Sequence, residues 1–301
     1  MDPITAAMIL YDKSLRAGFP SMDLLKPSKH TTARKVHPSA LGPGLCDRKA
    51  VWDIEADQPD SEIVKEVETS DLQNLDFRLG FMHQRWITEA LRHNLSLHDY
   101  EVLLSSDTIE GTADILMDIA DYQLAVVDIK TVKNKSLDGS AVELYPKPFH
   151  VAQVHAYCSL LKLKDGYQHV DAEPILFYVS RHDNTTLYFT WTWDEGECKV
   201  LRWDNETDEL VSHWPQGWPE DLATPMAESW AAQEEYLFNS GPLPDRCGET
   251  PDEHPFMCCD IDRKKKIATP TCAFYNRCWG LTREPFSIGA HDAPRDWEQP
   301  W

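Results

Sequence analysis

The sequence lacks any apolar run approaching the roughly 20 residues needed to cross a bilayer. Its first residues also lack a basic stretch followed by an apolar core and a small-residue cleavage site, so no membrane partner and a cytoplasmic location are expected. There is no internal repeat and no low-complexity tract, which excludes repeat architectures. Positive charge is scarce: 29 Lys and Arg stand against 50 Asp and Glu, a formal net charge of −21. That balance argues against a protein that coats long stretches of DNA through a broad basic surface, although it leaves room for a local basic groove.

What is present is globular in character. Hydrophobic residues make up 42% and charged residues 26% of 301 positions, enough to bury a substantial core, with a length that suits one domain plus a sizeable appendage. The basic residues gather at Lys26 to Lys35, at Arg48 and Lys49, at Lys130, Lys133 and Lys135, and at Arg263 to Lys266. Any one of these clusters, taken alone, reads equally well as solvated surface. The eight cysteines, in a reducing compartment, point to metal binding or redox chemistry rather than a disulfide framework.

Along the chain, residues 1–61 read as irregular with brief helices, broken by Pro38, Gly42, Pro43 and Gly44. From Glu62 to Asn94 the spacing of Leu72, Leu75, Leu79, Met82 and Trp86 predicts a helix, with His83 beside its apolar stripe. Strands are predicted at 100–104, 108–119 and 124–131, with a turn around Asp121. A helix over 149–163 follows, its stripe formed by Val151, Val154, Cys158 and Leu161. Strands at 174–181 and 186–193 flank the polar turn His182-Asp183-Asn184, as in a hairpin. The expected class is α/β, a helix–sheet core over 62–195. After it, residues 196–301 change character, with a helix from Pro225 to Phe238, a loop from Gly241 to Pro255 and a cysteine-rich tail.

The segment from Gly111 to Val132 is the most informative. Asp128 and Lys130 are two apart, so a strand sends both to one face. They follow Leu124-Ala125-Val126-Val127, a buried-strand run ending in charges, which is unusual unless those charges face a cleft. Asp114 adds a second carboxylate. Hard oxygen ligands of this kind suit Mg²⁺ or Mn²⁺, which activates water and neutralises charge on a phosphodiester, and a nearby lysine stabilises the pentacovalent phosphorus. A bare Asp-x-Lys on a strand is, however, most often a surface ion pair.

Four ordered motifs supply the missing context. Gly80-Phe81-Met82-His83, Gly111-Thr112-Ala113-Asp114-Ile115, Asp128-Ile129-Lys130 and Gln153-Val154-His155-Ala156-Tyr157 together resemble the RecB-like branch of the PD-(D/E)xK nucleases. The resemblance implies a restriction-endonuclease-like core with a mixed sheet flanked by helices. It implies metal binding by His83, Asp114, Asp128 and the backbone carbonyl of Ile129, with catalysis by Lys130 beside them. It also implies contacts to the DNA backbone from Gln153 and Tyr157, which lie on one helical face. Alone, Gln153 and Tyr157 read as ordinary helix-surface residues and His83 as a satisfied helix histidine.

The cysteine layout resembles the iron–sulfur members of that superfamily, including the CRISPR-associated four-cysteine exonucleases and the AddB-type nuclease domains. One cysteine, Cys46, precedes the core, and Cys258, Cys259, Cys272 and Cys278 follow it. The resemblance implies a [4Fe–4S] cluster on Cys46, Cys259, Cys272 and Cys278, formed by both ends of the chain, with Cys258 as the alternative to Cys259. Zn²⁺ on the same thiolates is the chemical runner-up. Cys158 and Cys198 read as buried core thiols, and Cys247 as an unused thiol in a loop.

The expected function is that of a Mg²⁺- or Mn²⁺-dependent exonuclease acting on DNA that is single-stranded or has free ends, in recombination, repair or CRISPR-related processing. It would be a stand-alone and phage-type enzyme, a homo-oligomer, or the partner of a recombination complex. The competing reading is a DNA-end-binding subunit whose nuclease centre is dormant or regulated. A sequence-specific endonuclease of the same superfamily ranks below both, because the Gln-x-x-x-Tyr helix belongs to the end-processing branch.

Overall fold

In the computed structural model of the chain the described residues are 34–42, 45–63, 65, 80, 82, 84–85, 87–89, 97–120, 123–132, 146–180, 186–194, 197–204, 209–212, 222–245, 259–262, 267–270, 274 and 277–278. In chain order they form a 3-10 turn at Pro38–Ala40, helix α1 (Asp47–Ala56), strands β1 (Leu97–Ser105), β2 (Glu110–Ala120) and β3 (Gln123–Val132), and helix α2 (Pro148–Leu161). Strands β4 (Asp171–Ser180), β5 (Thr186–Asp194), β6 (Glu197–Asp204) and β7 (Glu209–Ser212) follow, then helix α3 (Ala223–Phe238) and the short strands β8 (Cys259–Asp262) and β9 (Ile267–Pro270). The class is α/β. Strands β1 to β7 form one mixed sheet in sequence order, antiparallel throughout except for the parallel pair β3 and β4.

β3 carries six successive buried residues, Leu124 to Ile129, all apolar except Asp128. A strand covered on both faces needs an apolar run such as Leu124 to Val127. Its parallel pairing with β4 requires a crossover, and α2 supplies it. Pro148 starts this helix, where the missing N–H leaves nothing unpaired. α2 is enclosed on more than its expected stripe: Ala152, Gln153, Ala156, Tyr157 and Leu160 are buried as well as Val151, Val154, Cys158 and Leu161. The reason lies above the helix, where the chain at Gly42 presses onto it. A Cβ at Gly42, whose φ is +121°, would stand 3.0 Å from Ala152 Cβ and 3.2 Å from the Phe149 Cα.

The two ends of the described chain meet at α1. Gln233 of α3, fully buried, donates to Asp47 Oδ1 at 2.8 Å and to the Ala40 carbonyl at 3.1 Å, and Ser229 also donates to Asp47. Trp52 of α1 meets Phe274 edge to face, with ring centroids 5.6 Å apart.

Two expectations are revised. The helix expected from Glu62 does not begin there: residues 61–63 and 65 are irregular, because the Ile63 N–H is taken by the Ser61 hydroxyl (3.0 Å) and Lys65 turns back to Asp57 (2.9 Å). Helical residues are found instead at 80, 82, 84–85 and 87–89. The sheet also continues past residue 195 through β6 and β7, and the cysteine-rich tail carries the β8–β9 pair. Among the described residues no helix is long and apolar enough to cross a membrane.

Candidate active site

Register brings the acidic residues together. The last ladder pair between β2 and β3 on this side is Ile115 with Val127, so one step further Asp114 and Asp128 stand opposite each other. Across the other edge of β2, Tyr100 pairs with Ile115 and Val102 with Ala113, which puts Glu101 opposite Asp114. Glu101 is thus a neighbour of Asp114, close enough for its charge to act on that carboxyl, as Asp128 does from the other side.

Where the ladder stops, a side chain takes over. The Ile129 N–H donates to Asp114 Oδ2 at 2.7 Å, and Gln84, on the helical segment before β1, donates to Asp114 Oδ1 at 2.5 Å. In an antiparallel pair a residue sends its N–H and its C=O towards the same neighbour, so the Ile129 carbonyl is aimed at the same gap. Gly80 sits against the end of β3, where a Cβ would lie 3.0 Å from Thr131 Oγ1.

Lys130 follows one pleat after Asp128. Its ammonium lies 2.8 Å from Asp128 Oδ2 and donates to Gln153 Oε1 at 2.9 Å; Gln153 in turn donates to the Tyr157 hydroxyl at 2.9 Å. Gln153 and Tyr157 are buried, at 6% and 4% exposure, so their polar groups are spent on Lys130 and on each other rather than offered outward. Gly111 makes room for this: a Cβ there would stand 2.8 Å from Tyr157 Cε1 and 2.8 Å from Pro38 Cδ.

The electrostatics are those of carboxylates forced together. Burial pushes Asp114 up to about 8, helped by the negative charge of Asp128 and, more weakly, of Glu101; Lys130 and the Ile129 N–H pull the other way. Burial raises Asp128 as well, against the opposing pull of Lys130. Asp128 Oδ2 is buried, and the Lys130 ammonium 2.8 Å away supplies its charge compensation. A second buried carboxylate beside that pair leaves more negative charge than one lysine offsets.

The donor set fits a hard divalent cation. Two carboxylates and a backbone carbonyl supply oxygens alone, the preference of Mg²⁺ and Mn²⁺. Among the described residues no three His, Cys, Asp or Glu side chains gather closely enough to hold a metal by themselves. His83, which the sequence reading adds to the set, lies outside the described residues. Of the cysteines, Cys46 caps the N-terminus of α1 and is buried, and Cys278 is buried in the segment that packs on Trp52. Cys259 lies on β8, while Cys258, Cys272 and Cys247 lie outside the described residues. Cys158 is a core thiol, as expected, pushed up to about 12 by burial.

Three participants escape the sequence reading. Gln84 adjoins His83 and grips Asp114. Glu101 has a left-handed backbone, φ 48°, and an ion pair to Arg85 Nε at 3.3 Å; a non-glycine residue held this way stores roughly 1 to 3 kcal/mol of strain. Tyr178, in register with Lys130 on β4, binds His150 of α2. None of these belongs to a motif, and only pairing of strands reveals the last two. Most described members of the other basic clusters are engaged locally: Arg34 with Glu55, Lys35 with Glu110, Lys49 with Asp53.

No protein-family model matches the chain, and no curated protein matches it. Among solved structures it is similar to one described as "Crystal structure of SSO0001", at 14% identity and a TM-score of 0.36, covering 92% of this chain and 97% of that one. A likeness that distant carries no argument about activity.

Proposed function

We propose that the chain is a divalent-metal-dependent deoxyribonuclease of the RecB-like PD-(D/E)xK type, trimming DNA at ends. The observation that carries the reading is Asp128: a buried carboxylate opposite a second carboxylate and 2.8 Å from a lysine. A structural ion pair has no use for Asp114 beside it, whereas a cation site needs both carboxylates.

Asp114, Asp128 and the Ile129 carbonyl would hold Mg²⁺ or Mn²⁺, with His83 as the ligand that the family resemblance adds. The bound cation supplies an activated water and neutralises charge on the scissile phosphate. Lys130 is the chain's own cation at that point. Held by Asp128 on one side and Gln153 on the other, it is fixed before substrate arrives and costs no reorganisation when negative charge builds on the phosphorus oxygens. Gln153 and Tyr157 act through Lys130 in this arrangement. Asp114 is kept in place by Gln84 and by the backbone of Ile129.

For the termini we propose a [4Fe–4S] cluster on Cys46, Cys259, Cys272 and Cys278, with Cys258 in place of Cys259 and Zn²⁺ in place of iron as the alternatives. Support comes from the packing of α1, which carries Cys46 at its start and, further along, Trp52 against the segment that contains Cys278.

Protein purified without oxygen should be brown and should degrade end-labelled DNA with Mg²⁺ or Mn²⁺, and Asp128→Ala and Lys130→Ala should each abolish cleavage while keeping the fold. Cleavage that survives both substitutions would rule out this site. One observation favours a second reading, a DNA-end-binding subunit with a dormant centre: a net charge of −21 predicts weak DNA affinity without a partner. Binding of DNA ends in Ca²⁺, with no turnover in Mg²⁺ or Mn²⁺, would select it.

A further inference from the structure

Lys130 on β3 and Tyr178 on β4 are register partners, side by side on one face of a parallel pair. Each reaches up to α2. Lys130 donates to Gln153, and three residues earlier on the helix His150 Nδ1 lies 2.6 Å from the Tyr178 hydroxyl. The same hydroxyl accepts the Lys147 backbone N–H at 3.1 Å, at the residue that caps the helix.

Counting protons fixes the direction of the His150 contact. Tyr178 is fully buried, so its own proton needs an acceptor. With Lys147 donating to it, the acceptor present is His150 Nδ1, which places the imidazole proton on Nε2. That assignment agrees with the electrostatics: burial, and then the charges of Lys130 and Lys147, hold His150 well below its ordinary range and keep it neutral.

The first turn of α2 is therefore tied to β4 by one side-chain hydroxyl that serves both the helix cap and His150. Helical geometry then sets where Gln153 falls, since positions three apart lie on neighbouring points of one face. We propose that Tyr178 and His150 are positioning residues for Lys130: their hydrogen bond fixes the height and rotation of α2 at which Gln153 Oε1 meets the Lys130 ammonium. Neither is a catalytic residue, and the inference rests on the reading of Lys130 as the catalytic cation. It predicts a function for two residues outside the four motifs.

The experiment compares the full-length wild type with Tyr178→Phe, His150→Leu and His150→Asn. Asn keeps an acceptor near the place of Nδ1, while Leu and Phe remove one half of the bond each. Two readouts are taken: kcat and KM for Mg²⁺-dependent cleavage of end-labelled DNA, and the rate at which Lys130 is acylated by a small reagent relative to the other lysines, followed by mass spectrometry. In Tyr178→Phe and His150→Leu, kcat should fall roughly tenfold to a hundredfold, the scale expected when a reacting group is displaced by about an ångström. KM should stay close to wild type and Lys130 should label faster. His150→Asn should restore both readouts towards wild type. Unchanged labelling and kcat in the first two variants overturn the proposal, as does an Asn variant that behaves like Leu. If the wild type cleaves no DNA the nuclease reading fails, and the labelling comparison still decides the clamp.

Discussion

The backbone N–H of Ile129 donates to Asp114 Oδ2 across 2.7 Å, a side chain standing where the next rung of the β2–β3 ladder would be. Ile115 with Val127 is the last β2–β3 pair on this side, and Asp114 and Asp128 stand just beyond it. A regular ladder would pair the Ile129 amide with a backbone group of β2; here a carboxylate takes its place, on the same edge of β3 as the Ile129 carbonyl.

This carboxylate pair has a pH signature. Asp114 is raised to about 8 from an ordinary carboxylate value, first by burial and then by Asp128. A group raised on folding stabilises the fold fully below its unfolded pKa, and this contribution is lost as pH rises through the folded value. Metal-free wild type should therefore lose stability between about pH 4 and 8 relative to Asp114→Asn, which cannot ionise there. Urea unfolding at pH 5 and pH 8 measures this, and Mg²⁺ should restore the wild type alone at pH 8. Parallel pH curves for the two proteins would count against a buried, paired carboxylate at this position.

Lys130 is wedged between Asp128 and Gln153 with 23% of its side chain exposed, so shape matters as well as charge. Lys130→Arg retains the charge and loses the fit, because a planar guanidinium cannot take the place of a compact ammonium. We expect kcat to drop by about a hundredfold with little change in KM, the pattern of a group that acts in the transition state. Steady-state cleavage of labelled DNA checks it, and near-wild-type turnover would mean that Lys130 acts only as a diffuse positive charge.

Gly111 tests the support behind Lys130. The Cβ of Gly111→Ala would meet Tyr157 Cε1 and Pro38 Cδ, each at 2.8 Å, and both are held by packing. Overpacking of this kind costs roughly 1 to 3 kcal/mol, readable as a fall in Tm. Because Tyr157 receives the Gln153 amide, activity should fall further than stability alone explains. A variant with unchanged Tm and activity would show that the Pro38 and Tyr157 sides can yield freely.

Much of this arrangement is legible in the sequence, and the reasons differ between its parts. The run Leu124 to Val127 declares a central strand, because so continuous an apolar stretch suits a strand covered on both faces. α2 follows from its apolar spacing, expected over 149–163 and found at Pro148–Leu161. Tyr178 and Glu101 are silent because their meaning depends on register, Tyr178 beside Lys130 and Glu101 beside Asp114, and register is set by long-range pairing. β6 and β7 are missed for a similar reason: Glu197 to Asp204 mixes charged and apolar residues, a pattern that suits the outer part of a sheet and resembles a polar loop. Gln153 and Tyr157 read as surface residues because both are polar, and their hydrogen bonds to each other and to Lys130 explain their burial.

Trp52 offers the test of how the two ends of the chain are joined. It is 5% exposed, meets Phe274 at 5.6 Å and lies beneath the Arg277 guanidinium at 5.4 Å, so it holds the segment that carries Cys278 against the helix that Cys46 caps. Trp52→Ala should destabilise the chain by about 3 to 5 kcal/mol and make the bonds near Arg277 sensitive to trypsin. If Cys46 and Cys278 share a metal, the same substitution should lower iron or zinc per chain, measured by elemental analysis of anaerobically purified protein. Trp52→Phe, which keeps an aromatic edge for Phe274, should retain most of the metal. Full metal content in Trp52→Ala would show that the metal is held independently of this packing.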